Sequence, residues 1–330
     1  MDGAMSDTIK SLYLDRLSHT AGARRDIAGW VEAAFAPQAV LHAPCPIDDC
    51  ANRDAALARF WRPLLAAIPD LERRDDIVMS GRWKDGDWTA SLGHWEGTFG
   101  RPWLGLAATG GFVSIRFGEF HRFEAGAIVE TYLLLDLPDL MAQAGRFPFA
   151  QPRGPNPRWP GPATRDGVAR NAPNTDESAE SLALVEAMIA GLMSYDGKSL
   201  ESMGMQRFWR EGFLWFGPGP IGTGRGLKGF QDVHQRPFLS AFPDRKGGDH
   251  KCRIGEGAYV ASTGWPSIRA THSGPDFLMW PATGKAITMR VMDFWRREEA
   301  LLAENWVFID ILDLMRQIGL DPVLRAPDAA

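Results

Sequence analysis

Two periodicities alternate along this chain, and their order predicts its architecture. In 7–17 (DTIKSLYLDRL) and 25–36 (RDIAGWVEAAFA) apolar residues recur at helical spacing. A longer helical stretch, NRDAALARFWRPLLAAI (52–68), begins with Asn52 as N-cap. Pro63 lies inside it and predicts a kink or an end. The period then changes towards two, and strands are predicted near 71–80, 87–96, 112–123 and 127–135, with a short helix capped by Asp136. The same order returns. A helix at 178–195 precedes the strand-like FWREGFLWF (208–216) and a helix at 226–241, in which Pro237 repeats the position of Pro63. Strands are predicted near 250–256, 258–270, 286–296 and 301–309, and Asp310 caps a last helix. Helices followed by an antiparallel meander predict an α+β fold with helices on one face of a curved sheet, twice over.

The duplication is visible in the letters. RPLLAAIPD (62–70) matches RPFLSAFPD (236–244) at an offset of 174. GEFHRFEAGAIVETYLLLDLPDLMAQAG (118–145) matches MDFWRREEALLAENWVFIDILDLMRQIG (292–319) at the same offset. WTASLGHW (88–95) fits YVASTGWP (259–266) at 171, so short insertions fall in loops. Between the copies, PFAQPRGPNPRWPGP (148–162) is dense in proline and has neither period. The expected organisation is a first domain at 1–147, a proline- and glycine-rich connector at 148–177 and a second domain at 178–330. Phe149 and Trp159 are costly to leave in water, so the connector has reason to pack against a surface.

Composition narrows the function classes. At 45% hydrophobic and 23% charged residues the chain reads as an ordinary soluble protein. Its net charge of −5 gives no electrostatic case for nucleic acid or an anionic membrane. No apolar run reaches membrane-spanning length, and the N-terminus lacks the order of a signal peptide. Cys45, Cys50 and Cys252 make neither a disulfide framework nor a zinc site, and read as reduced, buried or half-buried thiols of a cytoplasmic protein. No cofactor or metal is expected. GPGPIG (217–222) matches a dinucleotide-loop pattern, but it carries prolines at variable positions and no strand–helix–strand unit follows. It reads instead as a loop over a pocket mouth.

Two acids sit where strands bury apolar groups. Met289, Val291, Asp293 and Trp295 share one face of a strand, as do Ile115, Phe117, Glu119, His121 and Phe123. Asp293 and Glu119 are 174 apart, the repeat offset. A carboxylate turned inward must be paired, hydrogen-bonded or protonated. One reading is a group poised for proton transfer, with His121 beside Glu119 as an acid/base pair. The other is a structural bond to an inward arginine, for which Arg82, Arg253 and Arg269 are near enough in topology.

The second copy resembles a known family at His272, WPATGK (280–285), Asp293 and LLAENW (301–306). The first repeats the pattern more weakly at His94, LAATGG (106–111), Glu119 and AIVETY (127–132). These features are similar to the SnoaL-like polyketide cyclases of the nuclear transport factor two-like superfamily. The resemblance implies two cone-shaped α+β barrels, also called cystatin-like, each with N-terminal helices packed on a curved, antiparallel-rich sheet. It implies a pocket in each barrel, an intrachain pseudo-dimer and an open question of further homodimerisation. It places Asp293 and Glu119 in the pockets; His272 is the expected catalytic partner of Asp293, and His121, from its shared strand face, that of Glu119. Trp295, Val307, Trp280, Phe117, Leu133 and His94 are expected to line them. The aspartate that serves the aldol-closing members as base is replaced by Val307 and Leu133. The expected function is therefore a cofactor-independent isomerase, lyase or cyclase for a small hydrophobic carbonyl compound. The alternative is a non-catalytic small-ligand-binding protein.

Overall fold

The structure is a computed structural model describing residues 2–17, 26–322 and 324. The first copy opens with helices α1 (Asp2–Leu17) and α2 (Ile27–Ala34), strand β1 (Phe35–His42), helix α3 (Arg53–Ala56), a π-helical turn at Leu57–Trp61 and helix α4 (Arg62–Ala67). Strands β2 (Glu72–Trp83), β3 (Gly86–Thr98), β4 (Phe112–Glu124) and β5 (Ala127–Leu135) follow, then helix α5 (Leu137–Gln143). The sheet order is β1-β5-β4-β3-β2, antiparallel except for the β1–β5 pair.

The second copy repeats the plan. It has helix α6 (Thr175–Leu192), strands β6 (Trp209–Phe216) and β7 (Thr223–Arg225), helix α7 (Gly226–Phe230), a π turn at Gln231–Gln235 and helix α8 (Arg236–Ala241). Strands β8 (Lys246–Gly247), β9 (His250–Glu256), β10 (Tyr259–Thr271), β11 (Ala286–Glu298) and β12 (Leu301–Ile309) lead to helix α9 (Ile311–Ile318). The second sheet runs β7-β6-β12-β11-β10-β8, with β9 also paired to β10. The chain packs into two compact units. One holds Met1–Phe147, Ala163–Asn171 and Asp310–Ala330; the other holds Pro148–Pro162 and Ala172–Ile309. The α+β class, with two mixed sheets each carrying helices, is as the sequence predicts.

Several local expectations change. Neither proline ends its helix: the segments run on to Ala67 and Ala241. A proline ring clashes with the carbonyl four residues back. Here the preceding turn is π-helical, with Arg62 N–H bonded to Leu57 O and Arg236 N–H to Gln231 O, and this wider turn makes room. The helix expected through Ala36 stops at Ala34, because β1 begins at Phe35. Pro37 is tolerated there because β1 lies at a sheet edge.

The proline-rich stretch is not free. Trp159 is buried with its ring 4.9 Å from Phe308, and Trp306 Nε1 donates to Pro160 O at 3.0 Å. This covers the side of β12 opposite Asn305, Val307 and Ile309. The GPGPIG loop joins the same stretch: Gly154 N donates to Ile221 O at 3.2 Å and Thr223 N to Pro155 O at 2.7 Å. It does not line the main pocket of its unit, so the pocket-mouth expectation is corrected. No helix among the described residues is long and apolar enough to cross a membrane.

Candidate functional site

The repeat brings both acids to one structural position. On β4, Glu119 stands between Ser91 and Leu133; on β11, Asp293 stands between Ser262 and Val307. These neighbours obey the same offsets of 171 and 174 found in the sequence. What surrounds the two acids differs.

In the first unit the position is filled. Glu119 and Arg73 form an ion pair whose side chains are 1% and 2% exposed. Tyr13 Oη donates to Glu119 Oε1 at 2.7 Å, and Arg73 Nη2 donates to Tyr13 Oη at 2.9 Å. Asp75 accepts from Arg73 Nε at 3.0 Å, and Ser91 also donates to it. His121 Nε2 lies 3.1 Å from Glu119 Oε1, while its Nδ1 meets Thr131 Oγ1 at 2.8 Å. Burial pushes the Glu119 carboxyl up, but Arg73 and then His121 more than offset it and hold it well below the usual carboxylate range. Aromatic rings close the remaining space. Trp61 and Trp95 are 5.4 Å apart, Trp95 stacks on Phe117 at 5.0 Å, and the Arg73 guanidinium lies 4.5 Å from the Phe117 ring centre. Leu133 is buried beneath Glu119. His94, expected to line a pocket, is a buried strand residue with its Nδ1 2.9 Å from Asp76.

The second unit has a cavity of about 240 Å³ at the corresponding place. Met289, Val291, Asp293 and Trp295 all line it, as strand parity predicts, and Val307 does too. The offset shows how it opens. Trp61 and Phe117 of the first copy become Gln235 and Val291 here, and both smaller residues face the void. Asp293 is the one acidic residue among the lining groups. Desolvation raises its carboxyl to about 7; the Asn305 amide, 3.4 Å away, and the charge of Arg253 only partly counter this. Burial pushes the imidazole of His234 down to about 3, so it is neutral. That ring stacks between Trp215 at 4.5 Å and Phe238 at 5.1 Å, giving one wall a ladder of flat groups. Trp209 Nε1, Trp295 Nε1 and His234 Nδ1 are buried without a hydrogen-bond partner among the described residues.

Two expected site residues lie elsewhere. His272 is fully buried at the end of β10, with its Nδ1 3.1 Å from Thr283 Oγ1 and its carbonyl accepting from Gly284 N at 2.9 Å. It pins the WPATGK turn and is not among the cavity-lining groups. Trp280 packs near Phe277 and Phe149, also outside the cavity lining. Conversely, His234, Gln235, Asn305 and Arg245 line the cavity without having been singled out. His234 had a signal: Phe230, His234 and Phe238 are spaced by four and share a helical face. Among the described residues no group of three or more potential ligands could hold a metal ion. All three cysteines are buried and unpaired, and burial raises each thiol, that of Cys45 to about 12.

Comparison with known proteins identifies both copies. Residues 15–131 match the model of a SnoaL-like domain, and residues 199–318 match that of the SnoaL-like polyketide cyclases. No curated protein matches the chain. Among solved structures, AclR, a putative hydroxylase from Streptomyces galilaeus, is 22% identical, covering 42% of this chain and 97% of its own, with a TM-score of 0.36. IdmH, a putative polyketide cyclase from Streptomyces antibioticus, is 24% identical over 40% and 96%, with a TM-score of 0.33. A nuclear transport factor two-like protein from Burkholderia xenovorans is 18% identical over 43% and 98%, also at 0.33. Taken with the repeat, the two family matches make this chain a member of the SnoaL-like family that carries two such domains in tandem.

Proposed function

We propose that the second domain is a cofactor-independent acid/base catalyst, an isomerase, lyase or cyclase acting on a small hydrophobic carbonyl compound, with Asp293 moving the proton. One observation carries this reading: a lone carboxyl on an apolar cavity wall, held at about 7 by desolvation. Such a group is substantially ionised at neutral pH yet remains basic enough to abstract a proton next to a carbonyl. Bound substrate would also relieve buried donors such as the Trp209 and Trp295 indoles, each of which costs about 1–3 kcal/mol when left unpaired. The first domain, whose acid is locked to Arg73, serves as a structural partner in this reading.

The competing reading is binding without turnover, and the apolar Val307 at the family's base position favours it. The two separate by a measurement that needs no natural substrate. Deuterium incorporation from heavy water into the methyl ketone 2-acetylnaphthalene should exceed the buffer rate. The protein-dependent rate should rise as pH passes through about 7, because the basic form of Asp293 accumulates there. Transplanting the first domain's filling, Val291→Phe with Gln235→Trp, should remove that exchange while the protein stays folded. Exchange no faster than buffer, with the ketone bound, would leave the binding reading standing.

A further inference from the structure

We propose that the ligand of the second domain's cavity is an amphipathic anion, its carboxylate or related anionic group held by Arg245 and Lys246 and its flat apolar body running inward toward Asp293. This deepens the reading above and rests on the same cavity. The charge distribution along its lining is uneven. Its basic side chains are Arg245, Lys246, His234 and His250, and its one acid is Asp293. Lys246 is exposed, so it stands at the open side, and Arg245 is half-buried beside it in sequence. Arg245 has one donor committed: Nη2 bonds Leu192 O at 2.6 Å, at the C-terminal end of α6. Its guanidinium lies 5.7 Å from the Tyr195 ring centre, and among the described residues no ion pair joins it to a carboxylate. Burial lowers its affinity for a proton, the signature of a cation lacking an acidic partner.

Different cations act on two titratable groups of the lining. Arg245 depresses the His234 imidazole, whereas the cation acting on Asp293 is Arg253. His250 is held neutral by burial and by Arg253, so it adds no competing charge. The same lining holds Met188, Leu192, Trp215 and Phe238, apolar or flat groups suited to a hydrocarbon or aromatic body. A half-buried guanidinium recognises a carboxylate with charge-assisted hydrogen bonds, and a ligand anchored there places its far end on the Asp293 side.

Two probes of equal size test this, naphthalene-2-carboxylate and 2-acetylnaphthalene, with binding followed by quenching of tryptophan fluorescence. The carboxylate should bind at least about tenfold more tightly. Arg245→Met should erase that preference while changing affinity for the ketone less than about twofold. Lys246→Met, at an exposed position, should reduce the preference about threefold. Its effect should shrink with added salt, and it stands in for Arg245→Met if loss of the Leu192 contact destabilises the fold. Equal affinities in the wild type, or equal weakening of both probes by either variant, would overturn the assignment. Asp293→Asn should keep the preference while losing exchange, so failure of the anion site and failure of the acid/base reading give different results.

Discussion

Asp293→Asn should abolish deuterium exchange and raise the melting temperature of the second unit at about pH 8. Both effects follow from one cause. The folded carboxyl titrates at about 7 against an ordinary value of 3.8, because burial penalises its charged form. An acid with a raised folded value binds its proton more tightly in the native state than in the unfolded chain. Its full contribution to stability is therefore present below about pH 3.8, is lost as pH rises through 7, and stays lost above. Three pH units correspond to about 4 kcal/mol, and Asp293 is not fully buried, which lessens the penalty, so a gain of about 2–4 kcal/mol is expected from asparagine. For a unit of this size that is roughly 4–16 °C at high pH. Near pH 3.5 the two proteins should melt together. Asparagine keeps an oxygen to accept from Asn305, so the contact at 3.4 Å survives. Thermal melts at two pH values beside exchange rates decide the matter. A variant less stable at pH 8 would make Asp293 a structural residue.

Glu119→Gln should do the opposite. Glu119 and Arg73 are almost wholly enclosed, and removing one partner of such a pair leaves the other charged and poorly solvated. Buried pairs broken this way cost about 3–5 kcal/mol. Asp75 still faces Arg73, so the lower part of that range is expected, roughly 6–12 °C in the melting of the first unit. Exchange by the second domain should persist. The double variant Glu119→Gln, Arg73→Met should recover only part of the loss, because it removes the stranded guanidinium but leaves Asp75 without its partner. The pH dependence also differs in sign from that of Asp293. The Glu119 carboxyl is held well below its ordinary value of 4.5, so its contribution is complete above that pH and disappears as pH falls below it. Wild-type protein should lose stability on acidification more steeply than the variant. A glutamine variant that melts normally but stops exchange would instead give the first domain the chemistry.

Much of the fold was written in the pattern. Strands at 127–135 and 301–309 coincide with their predicted spans, since alternation marks each strand and an aspartate helix cap follows it directly. Strand β1 was overlooked because Phe35 and Ala36 continue a helical spacing and Pro37 argues against a strand. The offset of 174 nevertheless carries β6 onto 35–42, so the duplication held the information that propensity concealed. Arg73, the partner of Glu119, was missed for a related reason. It belongs to ERRDD (72–76), where charges alternate too densely for one inward side chain to stand out. His272 was assigned to the chemistry on family resemblance, yet its position at the strand end engages it with the WPATGK turn.

The sequence by itself determined the duplication, the α+β class, the family and the inward facing of both acids. These depend on period, offset and motif, all of which are local or repeated along the chain. Only the tertiary structure decided which acid has space beside it. That depends on volumes contributed by distant residues: Tyr13, Trp61, Arg73 and Phe117 converge to fill the first domain, while Gln235 and Val291 leave the second domain hollow. A carboxyl against rings and an arginine is a strut; a carboxyl at the same position beside an apolar cavity titrates near neutrality.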